Sequence, residues 1–415
     1  MTGLNNFQFT KSRLLVVTST FPRWKDDTDP PFVYELSRRL TSDFDVVVHT
    51  PHYHGALQRE TMEGMRIHRF RYFLSRFEKL AGGQGIVPKL RRNKLYYLLL
   101  PFFLAAQFFS LLLLVYKEKP NVIHAHWLIP QGLLAVAVKK LLRVPVVVTA
   151  HGADVFGLRN PLCLRLKKLI VDNADEVVTV SISLARVLVA DTRSTVLPSI
   201  IPMGVDASQF SPDKKDEAIR NLYNIQGPFL LFVGRLSEKK GVRYLVDAMI
   251  TVTTAVPEAR LLIVGHGELE QSLKKQVDQL GLDDVVLFAG GIPNAQLPPY
   301  FATADIFIGP SIQAKGGDTE GFGLTFVEAA MSGCLVIGSK VGGIEDIIED
   351  GENGFFVPPG DPIFLADKII YLLKNIDKYR GDNKQTRRQI VAKYDWTIIA
   401  EKYGRICLSF LDRSC

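Results

Sequence analysis

What most constrains the fold of this chain is a recurring run of aliphatic residues that do not alternate with polar ones. Arg13-Leu-Leu-Val-Val-Thr18, Asp45-Val-Val-Val-His-Thr50, Asn121-Val-Ile-His-Ala-His126 and Pro145-Val-Val-Val-Thr-Ala150 occur in the first half; Phe229-Leu-Leu-Phe-Val233, Leu261 to Val264, Val285 to Ala289, Ile306 to Gly309 and Leu335 to Gly338 occur in the second. A strand wetted on one face alternates with period two, so unbroken runs belong to strands covered on both faces, as in a parallel sheet with helices above and below. Met65 to Phe70, Glu176 to Val180 and a stretch near Thr195 to Ile201 are further strands. Between the runs lie helical spacings: Phe32 to Leu40, Gly132 to Leu142 and Pro161 to Asp172, then Val242, Leu245, Val246, Met249 and Ile250, then Leu269, Leu273, Val277 and Leu280. This alternation predicts the doubly wound α/β class.

One core rarely serves 415 residues. The pattern pauses between Val205 and Pro228, where Ser-Pro-Asp-Lys-Lys-Asp and Gly-Pro suit a linker with one short helix. Two tandem Rossmann-like domains follow, residues 1–205 and 206–395, with a closing helix in 396–415. Ligands of such sheets bind beyond the carboxyl ends of the strands, which predicts a ligand in the cleft between two facing domains.

The net charge of +7 favours a phosphate-bearing ligand or an anionic membrane face. Nucleic acid is not expected, because the basic residues are dispersed and no recognition motif is present. Cys163, Cys334, Cys407 and Cys415 show no CxxC spacing, so they read as reduced thiols of a cytoplasmic protein. Met1 to Lys11 lacks the apolar stretch of a signal peptide. Leu95 to Tyr116 is strongly polar only at Gln107 and Ser110 and would span about 33 Å as a helix. It could cross a bilayer, but Pro101 lies within it, Lys89, Arg91, Arg92, Lys94, Lys117 and Lys119 flank it, and the α/β pattern continues on both sides. A buried helix, or one that dips an apolar face into the inner face of the membrane, satisfies those facts better.

The chemistry concentrates at strand ends. Gly316-Gly-Asp-Thr-Glu-Gly-Phe-Gly-Leu-Thr-Phe-Val-Glu328 leads into a helix near Phe322 and carries Glu320 and Glu328 seven residues apart. Its glycines allow close backbone approach to a ligand, and a helix start offers N–H groups to an anion. Gly234-Arg-Leu-Ser-Glu-Lys-Lys-Gly241 follows a strand, so Arg235 and Lys240 read as a diphosphate clamp. Val264-Gly265-His-Gly267 is a second strand-to-glycine turn. His124-Ala-His126-Trp127 and His151-Gly-Ala-Asp154 end two strands of the first half. Neither a dinucleotide-binding G-x-G-x-x-G after the first strand nor a P-loop is present. The D-x-D matches Asp27 to Asp29 and Asp43 to Asp45 read as solvated acidic loops.

Ser19 to Pro22, His124 to Trp127, His151 to Asp154, Ile201-Pro-Met-Gly-Val-Asp206, Gly234 to Gly241, Pro310-Ser311 and the Glu320/Glu328 pair occur in the order found in the retaining family 4 glycosyltransferases of the GT-B fold, which this chain resembles. The resemblance implies an acceptor-binding first domain, a nucleotide-sugar-binding second one, and a last helix that crosses back to the first. It implies a ribose-binding role for Glu328 and a donor-sugar role for Glu320 with Gly321, Phe322, Gly323 and Leu324. Arg235 and Lys240 would hold the diphosphate, with Gly265 nearby, and His151 would touch the donor sugar at the reacting centre. Neither metal nor other cofactor is then expected, since cationic side chains and helix ends can stabilise the leaving diphosphate. The expected partners are a nucleotide sugar donor and a lipid-linked or saccharide acceptor of cell-envelope polysaccharide or glycolipid assembly. Met203 replaces the usual Asn, and both the loop Arg23 to Pro31 and the loop Ile312 to Thr319 depart from the family pattern. Two other readings stay open on the residues alone: a metal-dependent hydrolase built on His124, His126 and His151, and a non-catalytic sugar-nucleotide-binding subunit.

Overall fold

The computed structural model describes residues 11–24, 27, 32–81, 86, 89–90, 93–380 and 383–411; residues 1–10, the Asp29 end of the first acidic match, the basic pair Arg91–Arg92 and Cys415 lie outside them. By its contacts the chain forms two compact units. Met1–Ala150, Arg165–Val178 and Ala400–Cys415 make the first, and His151–Leu164 with Thr179–Ile399 make the second.

The first sheet contains β1 (Ser12–Val17), β2 (Phe44–Pro51), β3 (Arg59–Met62), β4 (Met65–Phe70), β5 (Val122–His126), β6 (Val146–Ala150), β7 (Glu176–Thr179) and β8 (Ser199–Ile200), in the order β3-β4-β2-β1-β5-β6-β7-β8. β1 pairs in parallel with β2 and β5, β2 with β4, and β5 with β6. Leu14 to Val17, Val46 to Val48 and Val146 to Val148 are fully buried, as unbroken apolar runs require. The antiparallel edge strand β3 escapes the sequence pattern because Arg-Glu-Thr-Met is polar and half-wetted. The strand expected over Thr195 to Ile201 shrinks to β8, since Pro198 has no N–H to give a ladder. Helix Ile182–Thr192, capped by Ser181, was not anticipated.

The second sheet runs β11-β10-β9-β12-β13-β14, with β9 (Phe229–Val233), β10 (Arg260–Val264), β11 (Val286–Gly290), β12 (Ile306–Gly309), β13 (Leu335–Ser339) and β14 (Phe355–Val357) all parallel. Two parallel-sheet α/β units are thus present. After β13 the chain makes a 3-10 turn, Gly342–Asp346, opened by Gly342 at φ +60°. The charged stretch after Lys374 folds into helices Ile376–Arg380 and Asn383–Tyr394, ahead of the last helix, Trp396–Leu408.

Asp43 lies in an exposed turn, as an acidic loop would, but Asp27 and Asp45 are not solvated. Asp27 accepts from the Arg23 Nε at 2.7 Å and backbone N–H at 2.8 Å, and its side chain is almost wholly covered. Asp45 lies inside β2 and pairs with Arg13 at 2.8 Å and Arg66 at 2.9 Å. The long apolar segment forms a 3-10 turn, Lys94–Leu99, and helix Leu100–Glu118. Pro101 falls in its first turn, where the missing N–H costs no intrahelical bond. Phe103 on the inner face packs edge-on against Phe70 and Tyr72 at 5.4 and 5.0 Å.

Candidate active site

The ends of β9, β10 and β12 are drawn together by glycines whose missing side chains make room for backbone. A Cβ on Gly265, at φ +135°, would lie 2.0 Å from the Gly234 carbonyl oxygen, and one on Gly241, at φ +64°, 1.9 Å from that of Pro310. What Gly265 admits is therefore the neighbouring chain. Between these contacts the 3-10 turn Glu238–Lys240 presents two consecutive lysines, while Arg235 pairs with Glu268 at 3.2 Å.

Each lysine meets a carboxylate from the loop after β12. The Lys240 ammonium donates to Glu320 at 2.5 Å, and Lys239 donates to Asp318 and to the Thr319 carbonyl, both at 3.3 Å. The Ile312 N–H donates to the Lys239 carbonyl at 2.8 Å, and the Lys315 N–H to Glu238 at 3.2 Å. The loop Ile312 to Thr319 is thus fastened along the lysine turn. Burial alone would raise the Glu320 carboxyl, but the charges of Lys240 and Lys239 outweigh it and hold the group below its ordinary range.

Glu320 continues into a backbone seam. A Cβ on Gly321 would lie 2.5 Å from the His151 carbonyl oxygen, and one on Gly152 would lie 2.9 Å from the Gly321 Cα. Asp154 fixes the other strand of that seam by accepting from the His151 and Gly152 N–H groups at 3.1 and 2.9 Å. On the far side the Gly343 N–H donates to the Glu320 carbonyl at 2.9 Å, and Ser181 Oγ donates to the Gly321 carbonyl at 2.8 Å. Ser181 also caps helix Ile182–Thr192, and Asp346 accepts from its first N–H at 2.5 Å. Ser181, Lys239, Asp318, Gly342, Gly343 and Asp346 were all missed from sequence. Only Ser181 carried a local signal, a serine just before an apolar helical run.

Helix Leu324–Met331 is seated by Phe326, whose ring fills the gaps left by Gly309 of β12 and Gly338 of β13. Side chains there would come within 2.1 and 2.7 Å of it. The helix starts at Leu324, two residues later than expected, because Gly323 adopts φ +100° and serves as its N-cap. Glycine offers no side-chain oxygen for a cap, and of the first-turn N–H groups that of Phe326 donates to the Gly323 carbonyl at 3.0 Å. The Phe322 ring is buried, 5.8 Å from that of Tyr394, so backbone is what this residue can show a ligand. Glu328 lies one turn into the helix; burial pushes its carboxyl up to about 7, and Lys240 opposes only part of that rise. All ten residues singled out from sequence for this site, His151 included, belong to the second unit.

The other histidine pair belongs to the first unit. His124 is fully buried, donates or accepts at Thr149 Oγ1 (2.8 Å), and stacks on Tyr403 at 5.2 Å; its burial lowers its pKa to about 3. Among the described residues no group of three or more His, Cys, Asp and Glu side chains is placed to hold a metal.

Residues 31–209 match the family described as Glycosyltransferase Family 4, and residues 213–389 match Glycosyl transferases group 1. The chain is 31% identical over 271 residues to the GDP-mannose-dependent alpha-(1-6)-phosphatidylinositol monomannoside mannosyltransferase of Mycolicibacterium smegmatis, covering 64% of this chain and 71% of that protein. It is 28% identical over 302 residues to the N-acetyl-alpha-D-glucosaminyl L-malate synthase of Bacillus anthracis, covering 70% and 75%. In structure it is similar to sucrose-phosphate synthase from Thermosynechococcus elongatus (TM-score 0.76, 24% identity, 97% of this chain and 100% of that one). Anabaena HepE in complex with UDP and glucose is similar as well (TM-score 0.73, 18% identity, 96% and 100%).

Proposed function

The chain belongs to the family 4 glycosyltransferases of group 1, and we propose that it is a retaining enzyme that moves a hexose from a nucleoside diphosphate to a cell-envelope glycolipid or polysaccharide acceptor. The observation that carries this reading is the Lys240–Glu320 pair, set between a cationic turn and a helix start that no side chain caps. A leaving diphosphate accumulates negative charge while the sugar carbon becomes oxocarbenium-like, so catalysis needs cations on one side of the breaking bond and polar or anionic groups on the other. Lys240, Arg235 and the first turn of helix Leu324–Met331 suit the first task. Glu320, held ionised by its lysines, suits the second, with the His151 backbone fixing the position of Gly321. No metal enters this scheme.

GDP-mannose is the first donor to try, because curated relatives of the chain are GDP-mannose-dependent. A lipid-linked acceptor fits those relatives too, since their names give a phosphatidylinositol monomannoside as acceptor. Thermal stabilisation by a panel of nucleotide sugars identifies the donor, and NMR of the product gives its anomeric configuration. Retention supports the proposal, and an inverted product overturns it. Turnover in a strong chelator should persist; loss that a divalent metal restores would remove the metal-free scheme.

Glu328 gives a pH prediction. If its carboxylate accepts the ribose hydroxyls, the protonated form cannot, so donor affinity should rise with pH and level off above about 7. Below that value the dissociation constant should grow about tenfold per pH unit. Calorimetry across this range should show the slope, and Glu328→Gln should abolish it; native affinity independent of pH would remove Glu328 from the ribose.

A further inference from the structure

We infer that helix Leu100–Glu118, with the turn Lys94–Leu99 ahead of it, lies flat on an anionic lipid bilayer with its outward face in the acyl boundary. This inference rests on the first unit and stands independently of the donor site. Leu95, Leu98, Phe102, Phe109, Leu113 and Tyr116 recur at helical spacings of three, four and seven, which line one face. All six are exposed, Leu98 by 69%, Leu113 by 68% and Tyr116 by 73%. The polar groups point the other way. Gln107 is fully buried, Ser110 meets the buried His49 at 3.1 Å, and Glu118 is held by Arg66 at 2.7 Å. A helix of a water-facing domain has the reverse polarity, so the outward face is built for an apolar environment.

The helix cannot cross that environment while the fold stands. The strand before it, β4, and the strand after it, β5, lie in one sheet, which returns the chain to the side it came from. Charge identifies the environment as anionic lipid. From Glu63 to Glu118 the chain has ten lysines and arginines and three carboxylates, of which Glu78 is buried against His52 and Glu118 is paired with Arg66. Arg71, Arg76, Lys79, Lys94 and Lys117 in this stretch are exposed. Phe73 carries the apolar patch off the helix, its ring 5.5 Å from that of Phe102. An apolar stripe bordered by cations matches acyl chains beneath acidic headgroups; a second protein would need no such bias of sign.

The test is flotation of the full-length protein with phosphatidylcholine vesicles, with and without phosphatidylglycerol. Binding should be about tenfold tighter to the anionic vesicles and should weaken with salt. Phe109→Glu with Leu113→Glu should lose about tenfold or more in binding, with far-UV circular dichroism and thermal stabilisation by nucleotide unchanged. Should that double variant not fold, Leu98→Ser with Leu113→Ser applies the same test. Native protein that ignores anionic vesicles, or a folded variant that floats like the native, would overturn the inference. So would a native dimer in sedimentation velocity that the substitutions convert to monomer without any vesicle binding, because the stripe would then join two copies of the chain.

Discussion

Lys240→Ala is expected to lower kcat/KM by about a thousandfold, close to 4 kcal/mol of transition-state stabilisation, a magnitude typical of one preorganised charge or donor at a site of developing charge. Lys240 stands 2.5 Å from Glu320 and also bears electrostatically on Glu328, so one cation serves two carboxylates. Glu320→Gln keeps the shape and one hydrogen bond to Lys240, and should cost about a hundredfold, mainly in kcat. The double variant should lose less than the product of the single losses, because each single change already disables the pair. Steady-state kinetics on the three variants measures this, and unchanged turnover in Lys240→Ala would remove Lys240 from the reaction. The pair also sets an acid limit on stability. Glu320 has a folded pKa below its unfolded value, so its contribution is present above the ordinary carboxylate range and lost as pH falls through the lowered value. Lys240→Ala removes the larger cause of the lowering and leaves Lys239, so the acid-side decline in its melting temperature should shrink in part.

The second large effect is expected at Gly265. An alanine there must adopt φ +135° and place Cβ 2.0 Å from a backbone oxygen that no side-chain motion can relieve. Strain and overpacking of this kind cost about 3 kcal/mol, a fall of roughly 6–12 °C in the midpoint of a unit this large. Gly316→Ala is the control, since a Cβ there meets nothing within 4 Å. Scanning calorimetry on both should separate them. A Gly265→Ala protein that melts with the native would mean the β9 and β10 ends can part freely.

The central strands were legible because burial on both faces writes itself as unbroken Val, Leu and Ile; β9 and β12 were placed to the residue. β3 was invisible because an edge strand needs no such run. Within the candidate site, glycines and carboxylates marked loops that the fold brings together, since backbone approach and charge are local properties. Their partners were not legible. The Ser181–Gly321 bond spans 140 residues and the Lys239–Asp318 pair 79, and no local rule ranks those pairings above others. Asp27 misled for the opposite reason: Arg23, four residues away, takes up its charge, which composition alone reads as solvated.

The seam at Gly321 sets a limit on exchanging parts between relatives of this protein. His151, Gly152 and Ser181 precede the second sheet by many residues, yet they pack and bond against Gly321 and cluster with that unit. A chimera joined in the linker near residue 206 would keep every strand of the recipient sheet and still import a foreign lining for its glycine-rich loop. Hybrid enzymes that carry residues 151–164 and 179–206 along with the second half keep that lining matched, and the useful crossover points lie inside the first half of the chain, at the borders of those segments.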